Sequence, residues 1–383
     1  MPERLPLFAT ASRGTEELLA EELGRLGAVK VRQDRGGVRF HANLDEALRI
    51  VLWTRIAMRI LYPLGEWDAP GAEGLYEAAG KVRWDEHLTP TTTFAVDATL
   101  KESEHTHSGF VALKVKDAIA DQLRASKGQR PDVDTKDPDV RVVAHLKKQR
   151  LSLSLDLAGE PLNRRGYRER MTEAPLKETL AAAMLAAANY DGTEAFADPM
   201  CGSGTLAIEA ALIAINRPPG LARRFAVERW PSLGAHARSL LADLKREAKA
   251  AERPAPNTFL ARDHDEDALA AARSNIRSAG LSDLIRLEQA DATSAEPPDT
   301  DSGGLLATNP PYGERIGGGR GGQKGIKAFY FKLGDALARW KGWRQAILAG
   351  NPGFESAFHA RPRQRLGLWN GPIECQLLLY PPR

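Results

Sequence analysis

At 383 residues the chain has the length for two or three domains, each able to bury a core. With 43% apolar and 27% charged residues its composition is that of a water-soluble protein. It has no apolar run of the roughly 18 residues a membrane span needs and no signal-peptide pattern at Met1-Pro2-Glu3-Arg4, so a cytoplasmic location without membrane contact is expected. A net charge of only +3 excludes a polycation that coats nucleic acid indiscriminately, and two cysteines, Cys201 and Cys375, exclude a disulfide framework and a four-cysteine metal site.

The amino-terminal part reads as a strand at Leu5 to Thr10, a helix at Thr15 to Leu26 closed by Gly27, two short strands around Arg35-Gly36-Gly37, and a helix at Leu44 to Leu52. A second α+β unit follows. Its strands are expected near Ile56 to Leu61, Thr92 to Ala98, Val140 to His145 and Leu151 to Leu157, and its helices at Leu75 to Val82 and Gly109 to Leu123. These segments hold little that does chemistry, which points to binding. His105 and His107 lack further ligands at a familiar spacing and read as solvated or phosphate-contacting, so no metal is expected.

After a joint at Leu162 to Ala174 and an alanine-rich helix at Leu176 to Asn189, the pattern alternates strand and helix, the mark of an α/β fold with a parallel, doubly wound sheet. Strands are expected at Glu194 to Ala197, Thr258 to Ala261, Leu284 to Leu287, Leu305 to Thr308, Gln345 to Ala349 and Ile373 to Tyr380. This half is the expected catalytic domain.

Its first strand ends in Asp198-Pro199-Met200-Cys201-Gly202-Ser203-Gly204-Thr205, followed at once by a helix, Leu206 to Ile215. Gly202 and Gly204 let backbone pass close to a ligand at a helix amino terminus, and with Ala207 the string also fits the dinucleotide fingerprint. That fingerprint expects its ribose-binding acid about 20 residues on, whereas the first acid ending a strand is Asp263, 59 residues past Gly204. Asp198 would also repel a pyrophosphate and suits a cationic methionine moiety, which favours S-adenosylmethionine. Asp263 or Asp265 can accept from ribose hydroxyls and Asp291 from an adenine amine; each alone also reads as a helix cap or surface carboxylate. Cys201 reads as a small filler.

The fourth strand ends in Asn309-Pro310-Pro311-Tyr312. An exocyclic amine on a nucleobase is a poor nucleophile because its lone pair is delocalised into the ring. Acceptors aimed at its N–H groups, here the Asn309 side-chain carbonyl and the Pro310 carbonyl, localise that pair, and the two prolines stiffen the turn that presents them. Tyr312 offers a face for stacking on a base swung out of its helix. A plain Pro-Pro turn over a packed tyrosine is the other reading of the same residues.

Two stretches are locally basic. Arg141 to Arg170 has eight Lys/Arg against three acids, and Arg315 to Arg344 has eight against one. They read as phosphate-contacting surfaces or as solvated faces. Gly317 to Gly322 reads as a mobile lid or a surface loop.

Together, Leu162-Asn163-Arg164-Arg165-Gly166-Tyr167-Arg168, Ala174-Pro175-Leu176-Lys177-Glu178, Asp198 to Thr205 and Asn309 to Arg315 resemble the THUMP-domain class I methyltransferases that make N2-methylguanine in RNA, above all the bacterial 23S rRNA guanine-N2 enzymes. The resemblance implies a ferredoxin-like unit at 1–54, a THUMP RNA-binding domain at 55–160 and a Rossmann-like class I methyltransferase domain at 161–383. It implies S-adenosylmethionine held by Asp198, Pro199, Cys201, Gly202, Gly204, Thr205, Asp263, His264, Asp291, Ala292 and Asn309. Asn309, Pro310, Pro311 and Tyr312 would be catalytic, and Lys147, Lys148, Arg164, Arg165, Arg168, Arg315 and Arg320 would contact RNA. No second methyltransferase domain, and so no second rRNA modification, is expected. The loop alone leaves adenine N6 open as the acceptor, and a non-catalytic RNA-binding assembly factor on the same fold is the remaining alternative.

Overall fold

The computed structural model describes residues 3–170, 175–298, 303–313 and 320–382, with side chains from 325 onward in the last segment. The chain divides into two compact units, one of Met1–Thr10, Ala20–Leu162 and Arg223–Arg246, the other of Ala11–Leu19, Asn163–Ala222 and Glu247–Arg383. No helix among the described residues is long and apolar enough to cross a membrane.

The chain runs β1 (Leu5–Thr10), α1 (Glu16–Arg25), β2 (Val29–Asp34), β3 (Gly37–Ala42), α2 (Leu44–Trp53), β4 (Arg59–Asp68), α3 (Gly71–Gly80), β5 (Phe94–Lys101), α4 (Ser108–Lys127), β6 (Val140–Lys147) and β7 (Arg150–Asp156). The strands form one seven-stranded sheet, β2-β3-β1-β4-β7-β6-β5. The two amino-terminal units expected from the sequence therefore share a sheet, joined where β1 pairs antiparallel with β4. α2 starts at a capping box, in which Glu46 N donates to Asn43 Oδ1 and Asn43 N to Glu46 Oε2, both at 2.9 Å. β4 begins later than expected because the preceding backbone is engaged elsewhere: Arg55 N donates to Glu22 Oε1 at 2.8 Å and Thr54 Oγ1 to Glu22 Oε2 at 2.6 Å. It then continues past Pro63 through a bulge, where a missing N–H is tolerated.

The second sheet is built from β8 (Ala195–Asp198), β9 (Phe259–Asp263), β10 (Ile285–Gln289), β11 (Gly304–Thr308), β12 (Trp343–Ala349), β13 (Gln364–Asn370) and β14 (Ile373–Tyr380), in the order β10-β9-β8-β11-β12-β14-β13. Pairing is parallel from β10 to β12, and β14 runs antiparallel to both β12 and β13. β8 and β11 are buried along their whole length, as central strands of a doubly covered parallel sheet must be. One face packs on α5 (Glu178–Ala187), α6 (Thr205–Ala214) and α8 (Glu266–Ser278), and the other on α9 (Arg320–Ala338) and α10 (Phe354–Phe358). A long helix, α7 (Gly234–Ala250), lies between α6 and β9 in sequence.

Order along the sheet reverses between β8 and β11, and the crevice at the carboxyl ends of such strands is where these folds seat ligands. Asp198 ends β8, Asp263 ends β9 and Asn309 follows β11.

Candidate active site

Asp198 is 2% exposed. Its carboxylate accepts from Thr308 Oγ1 at 2.8 Å and from Met200 N at 3.1 Å. Burial pushes it up to about 7, against the pull of those two hydrogen bonds and with a further push from Asp263. The turn that follows is tied to the next strand. Cys201 N donates to Arg262 O at 2.7 Å and Gly202 N to Asp263 Oδ2 at 2.9 Å. Gly202 and Gly204 both have positive φ, +52° and +84°, the region that favours glycine. A Cβ on Gly202 would meet no atom within 4 Å, so the turn opens on free space; one on Gly204 would come within 3.3 Å of Ala272, so glycine there lets α6 start against α8.

The two rival carboxylates after β9 divide their work. Asp265 caps α8, accepting from Asp267 N at 2.9 Å, while Asp263 stays at the strand end beside the turn with Oδ1 accepting from Asp265 N at 3.1 Å. His264 is exposed, its Nδ1 3.3 Å from Asp263 Oδ1. Asp291 lies two residues past β10, where Thr293 N and Oγ1 both donate to its Oδ1 at 2.8 Å. The Thr293 backbone bond, above all, holds it below the usual carboxylate range, and Oδ2 accepts nothing among the described residues. Pro199, Cys201 and Ala292 are buried around the turn, and burial pushes the Cys201 thiol up, which suits a filler and not a nucleophile.

The loop after β11 is held from several sides. Tyr312 OH donates to Asn309 Oδ1 at 2.7 Å, Asn351 Nδ2 donates to Tyr312 O at 2.8 Å, and Tyr330 OH donates to Pro311 O at 2.6 Å. Asn370 Nδ2 and Cys375 Sγ reach the Tyr312 hydroxyl at 3.3 and 3.5 Å. The tyrosine is thus half-buried and is not a free stacking plate: its ring lies so close on Gly350 that a Cβ there would come within 2.7 Å of it. Its first task in this structure is to hold Asn309. Asn351, Tyr330 and Asn370 were not among the expected site residues; Asn351 carried a signal, since Gly350-Asn351-Pro352 follows β12 as Asn309-Pro310-Pro311 follows β11.

Several expected RNA contacts belong to the interior. Arg165 is buried against Glu209, with Nη2 to Oε2 at 3.4 Å, and Tyr167 OH donates to the same carboxylate at 3.2 Å. Arg168 donates from Nε to Glu178 Oε1 at 2.7 Å, from Nη1 to Ser203 Oγ at 3.1 Å, and from Nη2 to Thr205 Oγ1 at 2.9 Å and Leu176 O at 3.0 Å. It is a clamp on the glycine turn, and Thr205 accepts its bond where a ligand contact was expected. Lys147 and Lys148 are exposed at the β6–β7 turn, as is Arg164 in the joint. Arg315 lies outside the described residues, and Arg320 is described only as the first residue of α9. Of the expected lid, 317–319 lie outside the described residues and Gly321 and Gly322 belong to α9, a helix secured further on by buried Ile326, Tyr330, Leu333 and Leu337. Within the second basic stretch, Arg339 pairs with Glu296 and Arg344 with Glu194.

A parallel sheet with a glycine turn after β8, a carboxylate ending β9 and Asn-Pro-Pro-Tyr after β11 is the arrangement of a Rossmann-like methyltransferase. Residues 165–378 match the RMKL-like methyltransferase domain, and the chain belongs to that family. Residues 71–156 match the THUMP domain and 6–61 the RlmL ferredoxin-like domain, so the α/β methyltransferase fold is preceded by these two α+β domains. The ribosomal RNA large subunit methyltransferase K/L of Syntrophotalea carbinolica is 42% identical over 99% of this chain and 54% of its own length. The chain spans about half the length of the curated relatives it matches. Among solved structures, SMU.472, described as a methyltransferase and complexed with SAH, is 30% identical with a TM-score of 0.88 over 100% of this chain and 99% of its own. A protein of Listeria monocytogenes described as an N6-adenine-specific DNA methylase is 27% identical with a TM-score of 0.84, over 100% of this chain and 97% of its own.

Proposed function

We propose that the chain transfers a methyl group from S-adenosylmethionine to the N2 amine of a guanosine in structured RNA, 23S rRNA or a ribosome-assembly intermediate containing it, in the cytoplasm. The observation that carries this reading is the convergence at one sheet edge of an open glycine turn, the Asp263 carboxylate and the Asn309 loop. The likeness to the K/L methyltransferases supports RNA as the substrate.

The free space at Gly202, the strand-end carboxylate and the unused oxygen of Asp291 fit a nucleoside sulfonium. Asp263 would hold the ribose hydroxyls, Asp291 the adenine amine, and the backbone from Asp198 to Gly204 the methionine part, with Pro199, His264 and Ala292 lining it. S-adenosylmethionine bound there supplies an electrophilic methyl group on sulfur. The chain's own residues supply position: Asn309 Oδ1 and the Pro310 carbonyl accept from the guanine amine, Pro311 stiffens the loop, and Tyr312 fixes Asn309 and turns its remaining face to the base. Alignment of this kind contributes several kcal/mol. The acceptor nitrogen would gain the methyl group as the donor departed as a neutral thioether, and would then lose a proton that methylation has made acidic, so no strong base is required of the chain's own residues.

We assign 1–54, 55–160 and 161–383 as ferredoxin-like, THUMP and methyltransferase domains, with Lys147, Lys148 and Arg164 meeting RNA phosphates. Nucleoside mass analysis of 23S rRNA incubated with the protein and S-adenosylmethionine tests the reading. N2-methylguanosine is expected, absent with Asn309→Ala; methylated adenine in its place would overturn the assignment, and unmodified RNA with every wild-type preparation would favour an assembly factor.

A further inference from the structure

A planar pair sits at the end of β13, the strand whose last residue, Asn370, reaches the Tyr312 hydroxyl. The Arg13 guanidinium lies over the Trp369 ring, 3.9 Å from its centroid. Arg13 is exposed and Trp369 half-buried, and among the described residues the guanidinium makes no hydrogen bond and no ion pair, although Glu374 stands opposite Trp369 in register. Its N–H donors are therefore unused among the described residues, and the side chain is exposed.

The pair is built rather than incidental. Gly14, with φ +87°, approaches β13 so closely that a Cβ would fall within 2.0 Å of Gly367 O, a contact only glycine allows. Gly14 N also donates to Glu16 Oε2 at 2.8 Å, fixing the turn that carries Arg13. The pair's place is equally defined. Trp369 precedes Asn370, whose amide reaches the Tyr312 hydroxyl at 3.3 Å, and both sit at the end of β13. β13 is antiparallel to β14, which is antiparallel to β12, so β13 ends at the same sheet edge as β12 and the Asn309 loop.

We propose that Arg13 on Trp369 is a stacking platform for an unpaired RNA base flanking the target nucleotide. A base that enters the pocket must leave its stack, and its neighbour loses a stacking partner at the same moment. A guanidinium plane backed by an indole replaces that partner, since unpaired RNA bases stack on aromatic rings and on arginine planes, and the free N–H groups meet the adjoining phosphate. The inference rests on the proposed RNA methylation and extends it to a second subsite. Arg13 and Trp369 are positioning residues: they touch no reacting atom, so they act on KM and not on kcat.

The test uses the full chain and the shortest 23S rRNA fragment that it methylates, intact and with an abasic residue on either side of the target. With the wild type, the abasic change on one side is expected to raise KM about tenfold. Arg13→Ala and Trp369→Leu raise KM for the intact fragment by a similar factor, and the abasic change then adds nothing. Arg13→Lys, which keeps the charge and loses the plane, behaves like Arg13→Ala, while kcat and S-adenosylhomocysteine affinity by calorimetry are unchanged in all three. An abasic effect of full size in Arg13→Ala, or Arg13→Lys indistinguishable from wild type, overturns the platform. Failure of the underlying reading shows differently, as a wild type that methylates none of these RNAs; equilibrium binding of the same intact and abasic fragments then decides on the platform, with the same pattern expected in Kd.

Discussion

Both units of the chain are built on seven-stranded sheets, and they treat charge in different ways. In the first, arginines such as Arg39 and Arg150 meet Asp34, Glu66 and Asp68 in solvent, with Arg59–Asp156 as a buried exception. In the second, Arg165 and Glu209 are sunk to 2% and 0% side-chain exposure, Arg168 and Glu178 are nearly as deep, and Asp198 is buried with no cation bonded to it among the described residues. Exposed pairs are screened and contribute little. Buried ones cost free energy to desolvate, and the fold retains them where the glycine turn and the Asn309 loop must be held in place.

The sharpest way to break this contrast is to cut one pair of each kind. Arg165→Ala leaves Glu209 buried without its cation and is expected to lower unfolding free energy by about 3–5 kcal/mol in urea, whereas Arg39→Ala should change it by no more than about 1 kcal/mol. Equal effects would mean that depth does not separate the two sheets. Asn309→Ala removes one of the two proposed acceptors for the amine and should lower kcat by roughly 100- to 1000-fold, with near-native thermal unfolding; a loss confined to KM would move the acceptor elsewhere.

Asp198 sharpens the comparison through pH. Its folded pKa is raised, so between about pH 4, the ordinary carboxylate range, and about pH 7 the folded chain holds a proton that the unfolded chain has lost, and stability falls as pH rises through that window. Asp198→Asn lacks this slope. It should be more stable than wild type by about 2–4 kcal/mol at pH 8 without cofactor, and equal to it near pH 4; parallel profiles would show that Asp198 titrates normally. The smallest effect belongs to the first unit. Lys147→Ala with Lys148→Ala should weaken RNA binding a fewfold at low salt and flatten its salt dependence, and an unchanged salt slope would remove this turn from the RNA surface.

Much of the second sheet was legible because its strands are short apolar runs, several ending at the candidate site residues: Ile373–Tyr380 is recovered residue for residue and β8 to β12 to within a few. β13 was not, since Gln364-Arg365 and Gly367 give an edge strand no buried alternation to read. The acids at the strand ends and the Asn309 loop were visible as residue types at positions. Arg165 and Arg168 were misread for the converse reason: a local charge count records sign and cannot record depth, and their partners Glu209 and Glu178 lie 44 and 10 residues away. Likewise nothing in the order of residues places Arg13 on Trp369.

The bond from Thr308 Oγ1 to Asp198 sets a length scale for the proposed reaction. β8 and β11 are direct neighbours, paired Gly304 to Ala195 and Leu306 to Ala197, so the glycine turn and the Asn309 loop, the proposed seats of the two reactants, grow from adjacent strands. Their separation is inherited from the interstrand repeat of about 4.8 Å, a dimension fixed by backbone hydrogen bonding and not tunable by loop sequence. In the proposed reaction, loop substitutions would change which base is admitted, while the span between donor and acceptor would be set by the sheet itself.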